Sequence, residues 1–256
     1  MKISIITIVK NNVDFVADCV KSVVSQTYGG IEYIIVDGGS TDGTLNALGP
    51  YKDKITKVIS EKDAGRYYAM NIGLNLASGD VVGFLHADDF YADTKVIEKV
   101  TDVFKEGSID SVYGDLVYVQ KNPPHKTVRY WHAGGYDIKK IENGWMPPHP
   151  ALFVKREIYR KYGTFNTGFT IASDYEIMLR FLYKHKISAR YIPEVLVKMR
   201  MGGVSNRGFD NIIRKTMEDY KVCKLHGMER PFATIVLKNI AKIPQFFVKQ
   251  VTKDDK

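Results

Sequence analysis

Two aspartates stand side by side where an apolar run stops, in Val81-Val82-Gly83-Phe84-Leu85-His86-Ala87-Asp88-Asp89. Like charges held that close call for a cation between them, and oxygen-only ligands suit Mg²⁺ or Mn²⁺. The other reading of the pair is a turn at Asp88 with Asp89 capping a helix that starts near Thr94. Asp37 opens the loop Asp37-Gly38-Gly39-Ser40-Thr41-Asp42-Gly43. Its glycines let backbone approach a ligand, and its aspartate can accept a hydrogen bond from a base or sugar; the loop also reads as a glycine turn with Ser40 or Thr41 capping the next helix. Asp63 precedes Ala64-Gly65-Arg66. Asp174, after a probable N-cap at Ser173, falls in the first turn of an amphipathic helix. There it is either a partner of the helix dipole or a rigid, accessible general base.

The elements that must position these groups follow from periodicity. Residues 3–9, 32–36, 56–60 and 81–85 read as strands, with helices over 13–26, from Thr44 and over 67–77, and with Asn11 and Asn12 as caps for the first helix. Strand, helix, strand in this rhythm gives a parallel sheet. The C-terminal ends of such strands share one edge, so Thr7, Asp37, Asp63 and the Asp88-Asp89 pair should converge there. After a helix over 94–105 the alternation breaks. Strands over 110–120 and 127–132 suggest an antiparallel addition, and 188–200 reads as two further strand pieces. The loop Asn143-Gly144-Trp145-Met146-Pro147-Pro148-His149-Pro150 suits one wall of a sugar site, or is a proline-rich connection. A helix over 209–226 precedes the tail. The fold class is therefore α/β: a mostly parallel sheet with helices on both faces, a small antiparallel addition and a C-terminal helical tail.

The chain has 256 residues, and 26% of them are charged. That is enough for one large domain with an appendage. No apolar run approaches the roughly 18 residues a membrane span needs, and the N-terminal apolar stretch is too short for a signal peptide. Cys19 and Cys223 have no metal-ligand spacing and fit a reducing cytosol. The net charge is +8, with basic residues concentrated between Lys184 and Lys256. No zinc spacing, RNP-like motif or Arg-rich helix points to nucleic acid. The same field suits an anionic membrane surface or phosphorylated substrates. Residues 231–251 mix Phe232, Ile235, Ile240, Ile243 and Phe246 with Lys238, Lys242 and Lys249, and read as a basic amphipathic segment that docks on its own domain or, preferably, lies on a membrane.

Together these motifs make the chain resemble the inverting glycosyltransferases of family 2, which have the GT-A fold. The resemblance rests on an ordered series: Ile-Thr-Ile-Val-Lys-Asn-Asn (6–12), Val-Asp-Gly-Gly-Ser-Thr-Asp-Gly-Thr (36–44), Asp63-Ala64-Gly65 with Ala69-Met70-Asn71, Ala77-Ser78-Gly79-Asp80, Ala87-Asp88-Asp89, Ser173-Asp174-Tyr175 and Gly202-Gly203-Val204-Ser205. It implies a GT-A domain over 1–206, with a nucleotide-binding half (1–91) and an acceptor-side half (92–206), followed by a helical extension over 207–256. It further implies a nucleotide-sugar donor, usually a UDP-sugar, held at base and ribose by Thr7, Asp37, Asp63 and Arg66. Asp88 would contact ribose or metal, and Asp89 would ligate Mg²⁺ or Mn²⁺. Asp174 would take the proton from the acceptor hydroxyl, on a glycan or lipid-linked acceptor in cell-surface polysaccharide assembly of the bacterial type. The implied location is the cytoplasm, or the cytoplasmic face of the inner membrane. Three positions depart from the family pattern: His86 and Gly38 stand where members often carry acids, and Ser173 where they often carry Glu. A sugar nucleotidyltransferase would need a Gly-rich basic loop where this chain has Lys10-Asn11-Asn12. A catalytically silent membrane-surface protein of the same fold would have the tail as its working part.

Overall fold

Ile3–Val9 (β1) is apolar at nearly every position, as a strand covered on both faces must be. The computed structural model describes residues 1–62, 65–124, 126–202 and 209–246. In it β1 lies between Ile31–Asp37 (β2) and Val81–Phe84 (β4), parallel to both. Lys57–Ser60 (β3) extends the parallel set beyond β2. The remaining strands are Phe90–Tyr91 (β5), Ser111–Val119 (β6), Thr127–Trp131 (β7), Leu152–Lys155 (β8) and Ala189–Arg200 (β9). Across the sheet the order is β3-β2-β1-β4-β8-β6-β9-β5, with β7 on the far half of β6. β8 is wedged antiparallel between β4 and β6, and β7 pairs antiparallel with β6, so the expected antiparallel addition is present. β9 runs parallel to β6.

Side chains of β1 alternate between two cores. Ile3, Ile5 and Val9 pack with Val16, Cys19, Val20 and Val23 of Val16–Val24 (α1) and with Val96–Lys105 (α4). Ile6 faces the other way, with Ile34, Val82 and Phe84, toward Met70 and Leu74 of Arg66–Leu76 (α3). That second core also takes in Tyr159 of Arg156–Tyr162 (α5), Tyr175 of Ser173–Met178 (α6), Val222 and Cys223 of Phe209–Leu225 (α7) and Ile235 of Pro231–Ile240 (α8). Each such side chain, fully buried, contributes about 1.5–3 kcal/mol.

Four local expectations change. Residues 189–200 form one strand, because a bulge at Pro193-Glu194 lets β9 continue past the missing proline amide: Gly114 pairs with Ile192 and Asp115 with Val195. α4 starts at Val96, two residues after the expected Thr94. Asn11 and Asn12 do not cap α1, which begins at Val16; they join the loops after β1 and β2 instead. Lys238, one of the lysines of the tail segment read as lying preferably on a membrane, is buried. α8 presses so closely on Gly144 that a Cβ there would lie 2.4 Å from the Lys238 amide nitrogen and 2.5 Å from the Thr234 carbonyl oxygen. The Thr234 hydroxyl donates to the Glu142 carbonyl at 2.7 Å. Among the described residues no helix is long and apolar enough to cross a membrane.

Candidate active site

The loops after β1 and β2 lock into each other. The Asn11 amide donates to Ser40 Oγ (2.8 Å), the Thr41 amide to Asn11 Oδ1 (2.9 Å), and the Asn12 amide to Thr44 Oγ1 (2.8 Å). Asp37 sits beneath the glycine loop with no exposed surface. Its carboxylate accepts from the Gly39 and Ser40 amides and from the Ser60 and Ser40 hydroxyls. Burial alone would raise this carboxyl, but the Ser40 and Ser60 hydroxyls and those amides outweigh it and hold it below the ordinary carboxylate range. Asp37 thus fixes the shape of the loop. Thr7 has the parity of the α1 face, is fully buried, and its hydroxyl lies 3.1 Å from the Tyr33 hydroxyl and 3.7 Å from Cys19 Sγ. Asp63 lies outside the described residues.

The aspartate pair is strongly asymmetric. Asp88 is half-buried and lines a cleft of about 260 Å³ together with Lys10, Asn12, Asp42, Lys121 and Arg200. Asp89 has 0% exposure and turns inward. Its Oδ1 accepts the Arg200 amide at 3.3 Å, and its Oδ2 has no hydrogen-bond partner among the described residues. Burial, then the neighbouring Asp88 charge, push its carboxyl well above the ordinary value. Arg200, at the end of β9, stitches the region together. Its guanidinium donates to the Asp88 carbonyl (2.9 Å) and to Asp18 of α1 (2.5 Å), and lies over the rings of Phe15 and Phe90. Below the same turn Cys19 Sγ donates to the His86 carbonyl at 3.3 Å. Among the described residues no three His, Cys, Asp or Glu side chains are grouped to hold a metal. One outward carboxylate still fits Mg²⁺, which is commonly bound by one or two carboxylates plus the phosphates of its substrate.

Asp174 stands half-buried in the first turn of α6. Its Oδ1 accepts the Tyr175 amide at 2.8 Å and lies 3.4 Å from the Tyr67 hydroxyl, which donates to the Ile171 carbonyl at 2.6 Å. Arg66, the first residue of α3, lies 5.3 Å from the Tyr67 ring centroid. His86 joins the two sides: burial holds its imidazole below the ordinary value, and Asp88, Arg66 and Asp174 all act on it. His149, from the proline-rich loop, stacks with Phe84 and His86 and faces the edge of Phe165. Burial takes it down to about 4, so it is neutral at pH 7.

Ser173 does not cap α6; its hydroxyl oxygen has no partner among the described residues. The segment that leads into α6 is held from α7 instead. Glu218 accepts from the amides of Thr170 (3.1 Å), Ile171 (2.8 Å) and Ala172 (2.9 Å) and from the Thr170 hydroxyl (2.7 Å). Lys238 of α8 sits 3.2 Å from the Tyr175 ring centroid, and His226 Nε2 meets Glu176 Oε1 at 2.9 Å. Sequence reasoning misses Glu218, Arg200 and Tyr67, and reaches His149 only as part of the loop over 143–150.

A parallel set interrupted by one antiparallel strand, with a carboxylate-bearing cleft at the strands' C-terminal edge, defines a glycosyltransferase of the GT-A type. The chain belongs to glycosyl transferase family 2, whose family model matches residues 4–177. It is 28% identical over 204 residues to the PGL/p-HBAD biosynthesis glycosyltransferase of Mycobacterium bovis, covering 78% of this chain and 77% of that protein. An uncharacterized glycosyltransferase of Mycobacterium tuberculosis is 33% identical over 186 residues, 70% of this chain and 68% of its own. Among solved structures, Staphylococcus aureus TarS 1–349 superposes with a TM-score of 0.70 at 16% identity, over 100% of this chain and 77% of that one. The chain spans 46% of a longer TarS structure. The mannosyltransferase PcManGT of Pyrobaculum calidifontis, in complex with GDP-Man and Mn²⁺, matches at 0.66 and 16% identity, over 96% and 73%.

Proposed function

We propose that the protein is an inverting glycosyltransferase that moves a sugar from a nucleotide-sugar, UDP-linked in preference, to a hydroxyl of a glycan or lipid-linked acceptor in cell-surface polysaccharide assembly. The observation that carries this is the cleft that Asp88 lines at the C-terminal ends of the parallel strands, with Asp174 half-buried in the first turn of α6, in a chain whose residues 4–177 match the family model. Solved neighbours support the donor class: TarS 1–349 has been crystallised with UDP and with UDP-GlcNAc, and PcManGT with GDP-Man. Residues 1–91 would hold the donor and 92–206 the acceptor, with the helices after 207 bracing the base.

In this reading Asp88, the outward member of the pair, would hold a divalent cation, and Asp89 supports the turn from inside. That reverses the assignment the family resemblance suggests, and the burial of Asp89 is what supports the reversal. A bound Mg²⁺ or Mn²⁺ would offset the negative charge that develops on the departing diphosphate. Asp174 accepts the proton of the acceptor hydroxyl as that oxygen attacks the anomeric carbon on the face opposite the leaving group, which inverts the configuration. In water a carboxylate, with a reference pKa of about 3.9, is a weak base for an alcohol in the ground state. It suffices when the proton leaves late, after the hydroxyl has become acidic. Tyr67 holds the backbone before Asp174 and keeps the carboxylate at the cleft wall. Asp37 shapes the donor loop, and Arg66 is offered to the donor's charge; Asp63 retains its assignment from the sequence.

Isothermal titration of UDP with Mn²⁺, paired with a donor-hydrolysis screen over UDP-, GDP- and dTDP-sugars, tests the reading. Asp174→Asn should keep donor binding and lose transfer by about 10³-fold or more, within the range of general-base catalysis and positioning. Full transfer by that variant would remove Asp174 from the mechanism. A membrane-surface location through residues 231–251 is supported by the outward Phe232, at 73% exposure, and by Ile240, Ile243 and Phe246 beside it. Residues 247–251 lie outside the described part. Co-sedimentation with phosphatidylglycerol vesicles, reduced by Phe232→Ser, checks it.

A further inference from the structure

Both tryptophans of the chain, Trp131 and Trp145, line one cavity of about 250 Å³ between the end of β7, the loop at Asn143–Met146 and α8. The charged lining is entirely cationic among the described residues: Lys140, Lys238 and Lys242, beside His132. The carboxylate that meets these charges, Asp219, stands behind the wall. Its Oδ2 accepts from Lys238 (2.9 Å) and also from Lys215 (2.8 Å), so one acid serves two lysines. Lys242 donates to the neutral Asn239 (2.8 Å), and Arg129 lies within electrostatic reach. Burial first, and then Lys215, bring Lys242 down to about 8, with Asp219 acting the other way, and burial brings Lys238 down to about 7. Partly buried lysines that share a single acid hold their charge at a cost in free energy that an anion would offset.

The walls are held rigidly. Trp145 Nε1 donates to the Ala133 carbonyl at 2.6 Å, and its ring meets Tyr113 and Tyr136. Buried Asp115 fixes the end of β7 by accepting from the Ala133 amide (2.8 Å) and the Tyr130 and Tyr191 hydroxyls, with His132 Nδ1 at 3.2 Å. Lys238, on the cavity wall, carries its ammonium group 3.2 Å from the ring centroid of Tyr175, the residue after Asp174.

We propose that this cavity is an acceptor subsite for a phosphorylated sugar, whose ring packs on Trp131 and Trp145 and whose phosphate is taken by Lys242 and Lys140. Aromatic faces take the apolar face of a sugar ring, and ammonium groups take the phosphate through charge-assisted hydrogen bonds. The inference rests on the transferase reading only in calling the bound sugar an acceptor; the binding is measured without donor.

Because both tryptophans line the cavity, intrinsic fluorescence of the full chain reports on it directly. Titrations with glucose 1-phosphate, inorganic phosphate and glucose are run in EDTA, so that no metal-dependent donor site takes up phosphate. The expected result is a saturable change with glucose 1-phosphate, about tenfold weaker binding of inorganic phosphate, and no response to glucose at the same concentrations. Lys242→Ala should weaken glucose 1-phosphate binding about tenfold or more, the range of one lost charge-assisted hydrogen bond, with an unchanged melting temperature. Lys140→Ala provides a second variant. Equal affinity in wild type and both variants, or equal binding of inorganic phosphate and glucose 1-phosphate, would overturn the subsite. An inactive transferase that still shows the lysine-dependent response would refute the acceptor reading alone.

Discussion

At the scale of single residues, the two adjacent aspartates separate by direction. Asp88→Asn should weaken Mn²⁺-dependent UDP binding by at least about 100-fold by calorimetry, while the fold survives, because Asp88 lines the cleft and is only half-buried. Asp89→Asn keeps an acceptor for the Arg200 amide, so donor affinity should fall far less and the change should register in the melting temperature. The opposite pattern would return the metal to Asp89. Thr7→Val gives a further contrast. It loses a buried hydroxyl contact with Tyr33, worth about 1 kcal/mol, and should leave UDP affinity unchanged. The inward turn of Thr7 was not legible, since a strand with apolar neighbours on both sides carries no inside–outside alternation.

At the scale of elements, the segment that leads into α6 is held from another helix: Glu218 of α7 gathers three backbone amides and a hydroxyl just before Asp174. Glu218→Gln should lower kcat without changing the donor KM and cost on the order of 1–3 kcal/mol, since a charged acceptor is lost to buried donors. An unchanged kcat with the same loss of stability would make Glu218 purely structural. The strands around β1 were readable because their apolar runs admit little else, and the bulge at Pro193 hid the unity of β9. The brace on α6 was not readable. Its residues are separated by 46 to 48 positions from the amides they satisfy, and nothing local distinguishes Glu218 from an exposed helical acid.

At the scale of the molecule, the helices after 207 share the core of the family domain through Val222, Cys223 and Ile235. A chain ending at Asn206 should therefore lose both solubility and transfer, checked by size exclusion and donor turnover. Acid sensitivity has a definable origin near the N-terminus. Glu32 accepts from Lys2, Ser4 and Ser78; burial opposes its ionisation, but these partners prevail and move its carboxyl from an ordinary 4.5 down to about 2. A folded value below the unfolded one gives stability that is complete above pH 4.5 and is lost as pH falls from 4.5 to 2. Glu32→Gln should flatten the dependence of the melting temperature on pH within that window and leave its slope above pH 5 unaltered.

The thiol of Cys19, fully buried against the His86 carbonyl and raised by burial to about 12, turns the aspartate-bearing turn into a clock. An alkylating reagent can reach it only when that turn swings open, so the labelling rate measures the opening equilibrium without unfolding the chain. Any ligand that binds the closed turn must slow the labelling by the factor 1 + [L]/Kd. Cys223, buried in the other core, supplies the internal reference. Retardation at Cys19 with an unchanged rate at Cys223 would give a donor affinity without a radiolabel, a coupled assay or knowledge of the sugar.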